Sequence, residues 1–170
     1  MDLKNLIRDV PDFPKKGIIF KDITTLLKDK DAFKEAVDKL VEECEGKKID
    51  IVVAVEARGF IFGGVLAYKL GAGFAPLRKP GKLPYKTIKE TYTLEYGTDT
   101  LEIHEDAIKS GDNVLVIDDL LATGGTSLAT VKLVEKLGGN VSKIVFLIDL
   151  TFLKGAKKLE GYDVSSLIKY

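Results

Sequence analysis

The chain has 170 residues, 45% of them hydrophobic and 31% charged, enough to bury roughly 70% of the unfolded surface within one domain. Its 26 basic and 26 acidic side chains cancel, so no global charge favours nucleic acid or a membrane surface, and any anion site has to be local. The single cysteine, Cys44, excludes an internal disulfide and a cysteine-built zinc site, and the single histidine, His104, argues against a zinc or triad role and for a surface position. No apolar run approaches the roughly 20 residues of a membrane span, and the start lacks the apolar segment of a signal peptide. The expected location is the cytoplasm.

In chain order, Leu3, Leu6, Ile7 and Val10 share one helical stripe that Pro11 ends. A second helix is expected over Asp31–Glu45, with Cys44 as a buried packing residue at helical spacing. From residue 49, apolar runs alternate with amphipathic stretches: strand 49–55, helix 60–70, strand 73–78, then strand 113–118, helix 127–137 and strand 143–149. This rhythm predicts an α/β fold, an open, mostly parallel twisted sheet with flanking helices. Between Lys79 and Thr91 the pattern fails, and "KPGKLPYKTIKET" reads as an irregular segment, either a functional lid or a disordered linker. Tyr92–Glu95 and Thr100–Ile103 then alternate around Gly97 as a short hairpin would.

The stretch "VLVIDDLLATGGT", Val114–Thr126, carries the chemistry. A buried apolar strand runs into Asp118 and Asp119, and carboxylates at a core edge need compensation. In an extended strand these neighbours point to opposite faces, so a shared ligand requires the backbone to leave the extended form there. Gly124 and Gly125 permit such a departure. Ala122, Thr123, Gly124, Gly125 and Thr126 lead into a helix whose free N–H groups form a phosphate site, with threonine hydroxyls beside them. The spacing is neither that of the nucleotide P-loop nor G-x-G-x-x-G. Carboxylates only accept hydrogen bonds and repel phosphate, so the fitting ligand has hydroxyls as well as an anion. A ribose 5-phosphate satisfies both.

This motif resembles the phosphoribosyl diphosphate motif of the type I phosphoribosyltransferases. "PDFPKKGIIFKDITTLL", "VEARGFIFG", "RKPGKLPYKT" and "YTLEYG" resemble, in order and over nearly the whole chain, the adenine-specific members of that family. The resemblance implies that adenine and 5-phosphoribosyl 1-diphosphate, with Mg2+ held by substrate oxygens and water rather than by protein ligands, give AMP and diphosphate. It also implies a homodimer, and a single domain with a hood-like segment over about 1–30 and a lid over about 79–97.

The residue roles follow from that resemblance. Asp118 and Asp119 would face the ribose, and Arg58, just past a strand end, would contact the leaving group, the alternative being an ion pair with Glu56. Lys79 and Lys82, with Arg78 as a weaker candidate, would close over diphosphate as a lid does. Phe20 would stack on the base while backbone groups around Ile19 and Lys21 read its edge; family members commonly carry arginine where Lys21 stands. Glu95 would handle a proton on the base, with Tyr96 packing the lid. The alternatives are transfer to a 6-oxopurine, which presents an acceptor where adenine presents a donor, and a non-catalytic sensor of phosphoribosyl diphosphate. Such a sensor would want a separate basic DNA-binding domain, for which neither length nor charge leaves room.

Overall fold

The computed structural model describes residues 1–94 and 96–170. The chain divides into two compact units, Met1–Lys39 and Leu40–Tyr170.

In the first unit the expected helical stripe is reduced to one 3₁₀ turn, Leu3–Leu6, capped by Asp2. The chain then enters a strand, β1 (Arg8–Pro11), antiparallel to β2 (Ile19–Asp22), with Val10 opposite Phe20. Cross-strand pairing explains the correction. Arg8 donates to Asp22 through Nε (2.9 Å) and Nη2 (2.5 Å), and Lys21 pairs with Asp9 at 2.7 Å. The Thr24 N–H and then Arg8 hold the Asp22 carboxyl down at about 2. After a short helix α1 (Thr24–Leu27), Asp29 Oδ1 accepts from the N–H groups of Asp31 and Ala32 and starts α2 (Lys30–Glu42).

The second unit holds the sheet. Its strands are β3 (Ile51–Val55), β4 (Gly73–Leu77), β7 (Asn113–Leu121), β8 (Asn140–Asp149) and β9 (Val164–Lys169), ordered β4-β3-β7-β8-β9 and all parallel. Helix α3 (Arg58–Leu70) joins β3 to β4, and α4 (Gly125–Lys136) joins β7 to β8. Alternation sorts the strand residues: Val53, Val55, Val114, Val116, Ile144 and Phe146 pack with Ala129, Leu133 and Val134 of α4. The opposite face meets α3, where a Cβ on Gly63 would come within 2.8 Å of the Ala54 Cβ. Pro76 sits in β4, an edge strand, where a missing N–H is tolerated. Cys44 is buried in the turn after α2 and its thiol is pushed up by burial, a packing residue as expected.

The hairpin strands are β5 (Thr87–Thr93) and β6 (Thr98–His104), so strand begins within the stretch read as irregular. The reason is long-range. Leu101 and Ile103 join the core on the α4 side, and Glu90 is paired with Lys132 and Lys136 of α4. His104 is half-buried rather than exposed, its Nε2 accepting from the Tyr85 N–H at 3.3 Å. β9 has no counterpart in the sequence reading.

Candidate active site

The strand order reverses between β3 and β7: α3 carries the chain outward to β4 on one side, and α4 to β8 on the other. Open α/β sheets bind ligands beyond the carboxyl ends of the strands at such a point. Pairing of β3 with β7 stops at Ala54 opposite Ile117, whereas β7 stays paired with β8 as far as Leu121 opposite Asp149. Among the described residues, one edge of β7 is thereby left without a strand partner from Asp118 onward. A cavity of about 320 Å³ lies there, lined by Glu56, Arg58, Lys79, Tyr92, Asp118, Asp119 and the stretch from Ala122 to Ser127.

The sequence reading requires the backbone to leave the extended form for both acids to reach one ligand. The structure keeps β7 extended through Leu121, and both carboxylates still line the cavity, because the edge that β3 abandons is open to both. Asp118 Oδ1 accepts from the Asp119 N–H at 2.9 Å and lies 2.9 Å from where a Cβ on Gly59 would stand. Burial, and then the neighbouring Asp119 charge, push the Asp118 carboxyl well above the ordinary carboxylate range. Asp119 is 5% exposed and accepts from Arg58 Nε at 2.5 Å. Arg58 is the first residue of α3, so that helix end brings both a guanidinium and outward-facing N–H groups to the cavity.

Glu56, the alternative partner weighed for Arg58, instead gathers the other basic residues. It accepts from Arg78 Nε at 3.0 Å, from the Lys79 N–H at 2.8 Å and from Lys82 at 3.2 Å. Burial raises the Glu56 carboxyl, but these donors outweigh it and the net shift is downward. Arg78 and Lys82 do not line the cavity directly; they stand behind Glu56, which does.

The loop before α4 is set by glycine. Gly124 has φ +84° and caps the helix without a side-chain bond, leaving the first N–H groups of α4 directed at the cavity. A Cβ on Gly124 would stand 2.5 Å from the Gly155 carbonyl oxygen, and one on Gly155 would stand 2.3 Å from the Ala122 oxygen. Gly155 is therefore a supporting residue that sequence reasoning missed; it lies more than 30 positions beyond Ala122 and Gly124, which it contacts, and leaves no local signal. Tyr92 is a second. Read only as hairpin alternation, it lines the cavity and packs on Gly125, whose added Cβ would meet its ring at 3.2 Å.

Ile19, Phe20 and Lys21 belong to the first unit, on β2; Phe20 meets Phe13 edge-on at 5.2 Å, and Ile19 is exposed. Glu95 lies outside the described residues, and Tyr96 is 82% exposed. Among the described residues no group of three or more His, Cys, Asp or Glu side chains is placed to hold a metal ion.

A parallel sheet opened at its switch point, with paired acids and a helix N-terminus lining one cavity, is an α/β architecture of the kind that binds a phosphorylated ligand beyond its strand ends. The family model for the phosphoribosyl transferase domain matches residues 24–168, and the chain belongs to that family. Within it the chain is 61% identical over 170 residues, the whole of both proteins, to the adenine phosphoribosyltransferase of a Thermotoga species, strain RQ2. The adenine phosphoribosyltransferase structure from Thermoanaerobacter pseudethanolicus superposes with a TM-score of 0.97 at 60% identity, covering 99% of this chain and 98% of that one. The Saccharomyces cerevisiae enzyme, complexed with an imino-altritol bisphosphate and adenine, gives a TM-score of 0.91 at 42% identity over 97% and 96% of the two chains.

Proposed function

We propose that this chain transfers the 5-phosphoribosyl group from 5-phosphoribosyl 1-diphosphate to adenine, giving AMP and diphosphate, as the names of its full-length relatives indicate. The observation that carries the residue assignment is that Asp118, Asp119 and the α4 N-terminus line one cavity. The 5-phosphate sits on Ala122, Thr123, Gly124, Gly125 and Thr126, and the ribose hydroxyls donate to Asp118 and Asp119. Breaking the C1–diphosphate bond builds positive charge on the ribose and negative charge on the leaving group, so fixed opposite charges stabilise both. Asp119 and Arg58, already in contact, supply one charge of each sign. Lys79, Lys82 and Arg78 complete the basic side, and Ile19, Phe20 and Lys21 take the base. Glu95 handles the proton on adenine.

Among the described residues no group of three or more His, Cys, Asp or Glu is placed to hold a metal ion, which suits a Mg2+ carried on substrate oxygens and water. When bound, the metal neutralises charge developing on diphosphate. The working form is a homodimer in the cytoplasm; the exposed Ile61 and Tyr68 of α3 offer apolar surface to a second copy.

Adenine, phosphoribosyl diphosphate and Mg2+ are expected to yield AMP, and Asp119→Asn to lower the yield at least tenfold. Absence of AMP in the wild-type reaction, or preference for hypoxanthine in a competition among purine bases, overturns the reading.

A further inference from the structure

Tyr92 stands between Lys79 and Thr126 in the cavity lining. It stands opposite Asp99 in the hairpin ladder, and its hydroxyl lies 3.3 Å from Asp99 Oδ2 and 3.2 Å from Thr126 Oγ1 in the first turn of α4. The same Asp99 oxygen holds the Lys79 ammonium, which stands 6.0 Å from the centre of the Tyr92 ring. Asp99 Oδ1 is engaged by the Thr100 N–H at 2.8 Å, which fixes the carboxylate's orientation. Burial raises the Asp99 carboxyl, but Lys79 and Thr100 outweigh it, so the group is ionised near neutrality. Lys79, Tyr92 and Thr126 line the cavity, and Asp99 backs them.

The hydrogens can be counted. Tyr92 has one, and an ionised Asp99 only accepts, so Tyr92 donates to Asp99 and Thr126 donates to Tyr92. A phosphate on α4 is also an acceptor and competes for the Thr126 hydrogen. Once phosphate takes it, the Tyr92 hydrogen is the one left to bridge the two hydroxyls, and it turns away from Asp99. Asp99 then keeps Lys79 as its side-chain donor and holds it more tightly.

We infer that Tyr92 is a positioning residue coupling the two anion-binding ends: a phosphate in the α4 cradle strengthens the hold of Asp99 on Lys79 and so weakens the contact of Lys79 with a second anion. The inference rests on the reading of Ala122–Thr126 as phosphate cradle and Lys79 as diphosphate contact. In the substrate the two anions arrive on one molecule. After the C1–diphosphate bond breaks they are on two, and the coupling then favours departure of diphosphate while the nucleotide phosphate is still held.

The test is the dissociation constant of inorganic diphosphate, at fixed Mg2+, with and without saturating ribose 5-phosphate, by titration calorimetry on wild type, Tyr92→Phe and Lys79→Ala. The ratio of the two constants is the coupling, and direct repulsion between the ligands contributes equally in all three proteins. Tyr92→Phe keeps the ring against Gly125 and gives up only the hydroxyl's bonds to Asp99 and Thr126, so its thermal midpoint is expected to fall by no more than about 5 °C. The wild-type ratio is expected to exceed that of Tyr92→Phe by roughly three- to tenfold, the worth of one hydrogen bond, with Lys79→Ala matching Tyr92→Phe. Equal ratios in wild type and Tyr92→Phe, with Lys79→Ala still weakening diphosphate, overturn the inference alone. Unchanged diphosphate binding in Lys79→Ala, or no ribose 5-phosphate binding to wild type, overturns the underlying reading and the inference with it.

Discussion

Arg58, at the start of α3, holds Asp119, near the end of β7, through one 2.5 Å hydrogen bond, with the carboxylate buried and the guanidinium about half exposed. Removing one member of such a pair leaves the other's charge uncompensated, a larger loss than the pair's own net worth. Arg58→Ala is expected to destabilise the protein by roughly 1–2 kcal/mol, discounted for the exposed arginine. Urea denaturation measures this, and an unchanged midpoint would mean that water compensates Asp119 as well as Arg58 does.

Gly155→Ala tests the backing of the phosphate loop from outside the motif. The new Cβ meets the Ala122 oxygen at 2.3 Å, and the obstacle is backbone rather than a flexible side chain. The loop has to move, at a cost of roughly 1–3 kcal/mol. KM for phosphoribosyl diphosphate is expected to rise roughly five- to a hundredfold while KM for adenine stays within about twofold, since about 1.4 kcal/mol is a tenfold change. Equal rises in both would show a general loss of fold.

Asp118 carries a pH dependence of one sign. Its carboxyl is raised above the ordinary value of about 3.8 by burial and then by Asp119, so the folded state binds that proton more readily than the unfolded one. The stability this provides is fully present in acid, below the unfolded value, and declines as pH rises through the folded value. Asp118→Asn removes the decline. The gap in thermal midpoint in favour of the variant is expected to widen from pH 4 to pH 7, and a constant gap would contradict the shift.

Glu56 carries the other sign. Its net downward shift, in which Lys79, Arg78 and Lys82 outweigh burial, gives stability that is present above the unfolded carboxylate range and is lost as pH falls through the folded value. Glu56→Gln is expected to cost roughly 1–2 kcal/mol at pH 7 and to converge with wild type below about pH 4. Denaturation at both pH values decides it, and a loss that persists in acid would point to packing.

What the sequence makes legible is what short range controls. Alternating apolar runs and glycine stops locate β3, α3, β7, α4 and β8, and the acids and glycine loop mark the cavity before any coordinate is seen. The failures are all long-range. β1 exists because Arg8 and Val10 find Asp22 and Phe20, and the first half of β5 because Glu90 meets α4. β9 shows little apolar alternation, and Ile168 is its buried residue. Within the site, Gly155, Tyr92 and Asp99 matter through partners more than five positions away, and Glu56 was weighed against Arg58 when its partners are Arg78, Lys79 and Lys82.

Arg78 and Lys82 are held on Glu56 and the Lys79 ammonium on Asp99, so the basic side of the site is an ion exchanger rather than a bare positive patch. An incoming anion has to offer these cations more than the resident carboxylates, Glu56 and Asp99, do. A monovalent ion such as chloride offers one charge and no spread of acceptors. A polyvalent phosphate ester offers several oxygens at once, and so competes with the resident carboxylates on more favourable terms than simple salt does.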